Sequence, residues 1–237
     1  MTKGIIHYTD NRLEDPILSR VQETILASGL PIFSCSLNPM DFGQNIVFNG
    51  LRSYPTMVRQ ILAALEACTT DYVFFCEADV LYHKSHFDFT PPRDDVFFYN
   101  TNVWRWHYPE DLAITYKGLI SLSGLCCNRE LALNHYKLRL KKIEELEWSE
   151  TREREPRWGR KMGYEPGTKK RRRGGLTDDS WEEFRSEYPI IDIRHDKMFT
   201  KRKTHLEDFK HKPANEDWKE IALKEIPGWD INKLFCL

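Results

Sequence analysis

Tyr72-Val73-Phe74-Phe75-Cys76 is an unbroken apolar run of strand length, and it stops abruptly at Glu77-Ala78-Asp79. A strand with no polar alternation has no solvent face. It suits the centre of a parallel sheet covered by helices on both sides. The segments before it repeat that logic. Ile5-Ile6-His7-Tyr8 reads as a buried strand opening into the polar Thr9-Asp10-Asn11-Arg12. Asp15 before Pro16 reads as an N-cap with proline at the first helical position. Ile17, Leu18, Val21 and Ile25 then recur at helical spacing until Gly29 stops the helix, and residues 31 to 37 are strand-like again. A second helix is expected after Ser53, with Pro55 in its first turn and Met57, Ile61, Leu62 and Leu65 as its apolar stripe. This is an α/β chain with a mostly parallel open sheet flanked by helices.

Further along, residues 96 to 99 form another strand candidate, followed by an aromatic-rich loop from Asn100 to Asp111 that holds Trp104, Trp106, His107 and Tyr108. Residues 119 to 127 suggest a strand or turn broken at Gly124, and Asn128 opens a charged helix to about Trp148. From Thr151 to Arg173 ten Lys/Arg face three Glu among scattered Gly and Pro, which reads as a long basic loop. Order is expected to resume near Asp178, with a strand at Ile190 to Ile193 leading into Arg194-His195-Asp196. The expected organisation is one domain over residues 1–200, its basic loop at 151–175, and a C-terminal extension at 201–237 wrapping the surface through spaced aromatics.

Composition narrows the class. The balance of 41% hydrophobic and 30% charged residues is that of a soluble globular domain. No apolar run approaches membrane-span length, so no membrane partner is expected, and the N-terminal residues reach Asp10 too soon for a secretory signal. The six cysteines form no CxxC pair and lie mostly in apolar segments, as buried thiols of a reducing compartment would. A cytoplasmic enzyme, of a bacterial or phage-infected cell, is the expectation.

In open α/β sheets ligands bind beyond the carboxyl ends of the strands. Glu77 and Asp79 fall there, and two carboxylates one residue apart can hold Mg²⁺ or Mn²⁺ together with substrate phosphates. The same pair also fits a plain solvated turn. His195 follows another strand and can add an imidazole to a cation at Asp79, with Asp196 as a partner for its ring; an ordinary surface histidine reads the same way.

The segment from Asn45 through Val80, ending in Glu-Ala-Asp, resembles the first half of family-2-like glycosyltransferases of the GT-A type. The stretch Ser123-Gly124-Leu125-Cys126-Cys127-Asn128-Arg129-Glu130-Leu131 resembles the Gly-rich stretch before their catalytic region. The similarity runs over residues 3 to 195 in order and kind of element. It implies a Rossmann-like core for a nucleotide-diphosphate sugar, a UDP-sugar by first expectation, with Mn²⁺ or Mg²⁺ bound through an Asp-x-Asp motif. Here the first acid of that motif is Glu77, so Asp79 is the primary expected ligand, with His195 as a second. The resemblance also places Thr9, Asp10, Asn11 and Arg12 against base and ribose, and Glu77 within reach of metal or ribose. Arg12 and Arg52 can reach phosphate, since a guanidinium fork suits phosphate oxygens; both can equally cap the sheet edge.

An inverting transfer needs an acid to deprotonate the acceptor hydroxyl. The resemblance puts it after the Gly-rich stretch, where Asp179 and Glu182 are the favoured candidates among Asp178, Asp179, Glu182 and Glu183. A retaining enzyme needs none. Trp104 and Trp106 offer ring faces for an acceptor, or else pack in a core. The run Lys169-Lys170-Arg171-Arg172-Arg173 suits a polyanionic acceptor such as hydroxymethylated DNA, a lid over the diphosphate, or a solvated loop. The isoelectric point near 6.7 is low for a dedicated DNA binder. A sugar nucleotidyltransferase would carry a Gly-rich loop where this chain has Thr9 to Pro16. The other classes are a metal-dependent nuclease built on Glu77, Asp79 and His195, and a non-catalytic nucleic-acid-binding module.

Overall fold

The computed structural model describes residues 1–147, 165–168, 176, 180–198, 203, 205–209 and 216–236. Its order is β1 (Lys3–Thr9), α1 (Ile17–Leu26), β2 (Ile32–Ser36), β3 (Gln44–Val47), α2 (Tyr54–Ala67), β4 (Tyr72–Glu77), β5 (Val80–Leu81), β6 (Val96–Asn100), β7 (Val103–His107), β8 (Ala113–Thr115), β9 (Leu125–Asn128), α3 (Arg129–Glu145), β10 (Ser180–Phe184), β11 (Ile190–Arg194), β12 (Lys219–Ile221) and α4 (Ile231–Phe235).

A seven-stranded sheet runs β10-β6-β9-β4-β1-β2-β3. Its pairs are parallel except the two made by β9, so the sheet is mostly parallel. α1 packs on one face through Ile17, Val21 and Ile25, against Ile5, Ile32 and Phe74. α2 and α3 cover the other, where Val58, Ile61, Leu65 and Tyr136 meet Ile6, Phe33, Val73 and Phe75. The apolar run Tyr72–Cys76 is buried on both sides, as a central strand demands. Full burial of one such large apolar side chain stabilises by roughly 1.5–3 kcal/mol.

The local signals mark the ends of these elements. Ser53 caps α2, its side chain accepting the Thr56 N–H at 3.1 Å. Asn128 caps α3, accepting from Glu130 at 2.8 Å and Leu131 at 3.3 Å. Gly29, at φ +70, ends α1 in the left-handed region that glycine adopts without a Cβ penalty. The start of α1 is shifted by one residue: Pro16 occupies the N-cap, and Asp15 instead accepts the Ser19 N–H at 3.1 Å.

The expected aromatic loop is largely a strand. Residues 103–107 form β7 of a second sheet, ordered β12-β8-β7-β11-β5, which packs into the core on the α1 side of the large sheet. From the C-terminal part, β12 pairs with β8, and Phe235 of α4 lies edge-on to Trp106 at 4.9 Å. The expected boundary near residue 200 lies outside the described residues. Five of the six cysteines are buried free thiols and Cys236 is exposed. No helix among the described residues is long and apolar enough to cross a membrane.

Candidate functional site

From β1 the chain steps outward to β2 and β3 on one side, while β4 lies on the other. Such a reversal opens a crevice beyond the carboxyl ends of the two middle strands. Tyr8 and Glu77 are neighbours in register across β1 and β4, so Asp10 and Asp79 follow just beyond on adjoining strands.

The β1 side is tightly fastened. The Thr9 carbonyl accepts from buried Gln60 of α2 at 2.8 Å, and the Thr9 hydroxyl accepts the Asn11 N–H at 3.1 Å. Asn11 sits at φ +57, a region that Asn tolerates better than most residues. Its side-chain carbonyl accepts the Leu37 and Asn38 N–H groups at 2.8 Å each, so the amide ties this loop to the end of β2. Asp10 accepts the Arg12 N–H at 3.1 Å on one oxygen and pairs with Arg52 Nε on the other. Arg52 also donates through Nη2 to the Lys197 carbonyl at 3.1 Å. Arg12 is exposed.

On the β4 side the two acids differ. Glu77 accepts from the Tyr8 hydroxyl at 2.6 Å, while its own N–H donates to the Tyr82 hydroxyl at 2.9 Å. Burial first, and the Asp79 carboxylate second, push its carboxyl up to about 8. Asp79 keeps more contact with solvent, at 26% side-chain exposure, and its Oδ2 lies 3.3 Å from His195 Nε2. The Asp79 carbonyl accepts the Ile193 N–H at 2.8 Å, which fixes β11 beside the acid. The other imidazole nitrogen, Nδ1, accepts the Lys197 N–H at 3.2 Å.

Three further charged residues of the site escaped the sequence reading. Asp192 is buried on β11, where Arg105 of β7 donates to it at 3.2 Å and Arg194 at 3.2 and 3.3 Å. Burial alone would raise its carboxyl, yet Arg194 and Arg105 hold it below the usual range. Arg194 in turn is held above its ordinary value: burial works against its charge, and Asp192, Asp79 and Glu77 outweigh it. A visible signal existed. Asp192 interrupts an apolar run between Ile191 and Ile193, and Arg105 stands between two tryptophans.

Other expected site residues fall elsewhere. Trp106 is a core residue, at 0% exposure, with its indole donating to the Glu110 carbonyl at 2.8 Å and no ring face left for an acceptor. Trp104 is half-buried against the same core. Glu182 lies mid-way along edge strand β10, beside Arg93 at 3.7 Å. In register it is level with Phe98, Cys126 and Phe74. Three inter-strand spacings of ~4.8 Å and three rises of ~3.3 Å therefore separate it from Glu77, about 17 Å in all. It does not join the acidic cluster. Asp178, Asp179 and the basic run Lys169-Lys170-Arg171-Arg172-Arg173 lie outside the described residues.

Among the described residues no group of three or more His, Cys, Asp or Glu side chains is arranged around a common metal position. A Mg²⁺ or Mn²⁺ ion shared with substrate phosphates needs fewer protein ligands. Two cis donors at ~2.1 Å from such an ion stand ~3.0 Å apart, so the 3.3 Å between Asp79 and His195 suits one. The tautomer does not yet suit it. A ligating imidazole normally donates its second N–H, whereas His195 Nδ1 faces a donor.

No protein-family profile matches the chain, and no curated protein sequence matches it. Among solved structures, the chain is similar to the bifunctional IspDF enzyme of Campylobacter jejuni, at 13% identity and a TM-score of 0.40, over 57% of this chain and 43% of that one. It is similar to a glycosyltransferase involved in glycosylation of the major capsid of PBCV-1, at 11% identity and a TM-score of 0.43, over 78% of this chain and 82% of that one. It is also similar to a variant of Drosophila β-1,4-galactosyltransferase 7 in complex with manganese, UDP-Gal and xylobiose, at 12% identity and a TM-score of 0.34, over 63% of each chain. The chain thus spans less than half of the first of these and less than two thirds of the third. Likenesses this distant carry no argument about function.

Proposed function

We propose that this chain is a glycosyltransferase that takes a sugar from a nucleotide-diphosphate donor, a UDP-sugar first among candidates, and transfers it to a hydroxyl acceptor with Mn²⁺ or Mg²⁺. The observation that carries the reading is the convergence, at one strand-order reversal, of Asp79 with His195 on one wall and Asp10 with Arg52 on the other. Asp10 can accept from a ribose hydroxyl or a ring N–H. Arg12, exposed beside it, can reach phosphate, and α2 begins at the same end of the sheet with its dipole favouring anions. Asp79 and His195 supply an oxygen and a nitrogen for the cation. When bound, that cation would offset the charge growing on the departing diphosphate. The half-buried Glu77–Tyr8 pair lies between them, at the carboxyl ends of β4 and β1.

An inverting transfer needs an acceptor base, and none is assigned: Ser180, the residue after Asp179, stands two positions further from the crevice along β10 than Glu182. Hydroxymethylated DNA is the first acceptor to try, on account of the basic run at residues 169–173. The deciding experiment is a thermal-shift and donor-hydrolysis panel of UDP-, GDP- and CMP-sugars with and without Mn²⁺. One donor class should stabilise the protein only with metal, and Asp79→Ala should remove the effect. If no nucleotide sugar shifts the wild type with metal present, the proposal fails.

A further inference from the structure

Lys197 is gripped by both halves of the site through its backbone. Its carbonyl accepts from Arg52, on the Asp10 side, at 3.1 Å. Its N–H donates to His195 Nδ1, on the Asp79 side, at 3.2 Å. Its side chain adds an exposed ion pair with Glu14 at 3.0 Å, and exposed pairs of that kind hold little. Arg52 is the stronger tether, because its planar fork meets the Asp10 carboxylate and the Lys197 carbonyl together.

We propose that Arg52 is a positioning residue. Through the Lys197 backbone it sets the orientation and tautomer of His195, and it thereby couples the diphosphate side of the crevice to the cation side. The functional part of this inference rests on the nucleotide-sugar reading above. The argument follows from hydrogen-bond chemistry. An Nδ1 that accepts an N–H leaves the imidazole proton on Nε2, pointing at Asp79. To face a cation, Nε2 must present a lone pair, so the proton must sit on Nδ1 and the Lys197 N–H must withdraw. Phosphate oxygens arriving at Arg52 compete with the Lys197 carbonyl for the same guanidinium. Once that carbonyl is released, the turn can move and Nδ1 can carry the proton. Occupancy of one side then favours the other, and the coupling is reciprocal.

The test uses the full chain with ¹⁵N-labelled histidine and reads the His195 ring nitrogens. In the ligand-free wild type the Nε2–H pattern is expected; an Nδ1–H pattern overturns the proposal at once. Arg52→Gln should lose that single tautomer, and so should Arg52→Lys, which keeps the charge but lacks the fork. A folded Arg52→Gln protein with an unchanged His195 signature overturns the proposal, and Arg52→Lys is read the same way should Arg52→Gln not fold. Inorganic pyrophosphate without metal should move the wild-type signals toward Nδ1–H; no movement at saturation counts against the coupling. Without pyrophosphate, Mn²⁺ binding, followed by water-proton relaxation, should be about 5-fold tighter in Arg52→Gln, where the Lys197 carbonyl is already released, and an equal or weaker affinity counts against it. A wild type that binds neither pyrophosphate nor Mn²⁺ sinks the nucleotide-sugar reading. In that case the ligand-free tautomer comparison still decides whether Arg52 positions His195.

Discussion

Beneath α2 and α3, Arg139 is sealed from solvent. Its guanidinium donates to the Tyr54 hydroxyl at 2.7 Å and to His135 Nε2 at 3.0 Å, and it lies 5.8 Å over the Tyr136 ring. At the carboxyl ends of β1 and β4, Asp79, His195, Asp10 and Arg52 form a second charged cluster that keeps a path to water, at 26% side-chain exposure for Asp79 and 22% for Asp10. Both clusters hold charge in a partly apolar setting. In the first, charge is enclosed by its own helices and serves packing. In the second, groups from four separate segments meet where a ligand can enter, and their contacts can be exchanged. Burial with internal partners marks structure; convergence at an open strand end marks function.

Removing a closed group should cost stability and nothing specific to a ligand. Trp106→Ala is expected to lose about 4 kcal/mol in urea unfolding, from the cavity left by a wholly buried indole. That is a large part of the ~5–15 kcal/mol typical of a folded domain. A loss below about 1 kcal/mol would mean that the ring is not core. Arg139→Ala should cost about 3 kcal/mol, because Tyr54 and His135 lose their buried donor. Removing an open group should do the reverse. Asp79→Asn should leave the melting temperature nearly unchanged while metal-dependent turnover falls at least ~100-fold, more than is usual for a group one step removed from a metal. If Asp79→Asn unfolds the chain and Arg139→Ala leaves it stable, the comparison is inverted.

A smaller effect separates the histidines. His7 is fully buried, neither ring nitrogen has a hydrogen-bond partner among the described residues, and burial lowers its pKa from 6.5 to about 4. Above pH 6.5 it is neutral in both folded and unfolded chains and contributes no pH dependence. As pH falls below 6.5 the unfolded chain takes up a proton that the folded site refuses until about pH 4, so folded-state stability declines through that window. Between pH 7.5 and 5 the wild type should lose about 2 kcal/mol more than His7→Leu. Equal losses in paired urea titrations would show that His7 is accessible or partnered.

Sequence reading served best where connections are local. The separate elements of the β1–α1–β2 unit, the Ser53 and Asn128 caps and strand β4 carry their signals locally, each within its own short stretch of chain, and the acid pair follows directly from where β4 stops. The second sheet was hidden because its partners are far apart in the chain: β5 pairs with β11, and β8 with β12. Residues 103–107 alternate too weakly to announce a strand until β11 lies beside them. For the same reason Arg105 and Asp192, 87 positions apart, could not be recognised as a pair. Trp106 was misplaced because an aromatic in a loop and one on a core strand look alike before pairing is known.

The smallest expected effect concerns Glu182, and it tests the comparison at its far edge. An acid after the Gly-rich stretch had the right order along the chain for an acceptor base. Order along the chain is not position in the sheet. β10 joins at the outer edge beside β6, and Glu182 pairs in register with Phe98 rather than with any residue of the crevice. Its carboxylate is about half exposed and faces Arg93, itself engaged with Asp95 at 2.6 Å. An exposed pair in that setting contributes at most ~0.5 kcal/mol. Glu182→Gln should therefore leave stability within about 0.5 kcal/mol and transfer rates within twofold, a change equivalent to less than about 0.5 kcal/mol in barrier. A drop of a hundredfold with the fold intact would bring the β10 edge into the chemistry. It would require the edge strand and the switch-point crevice to act as one site across about 17 Å.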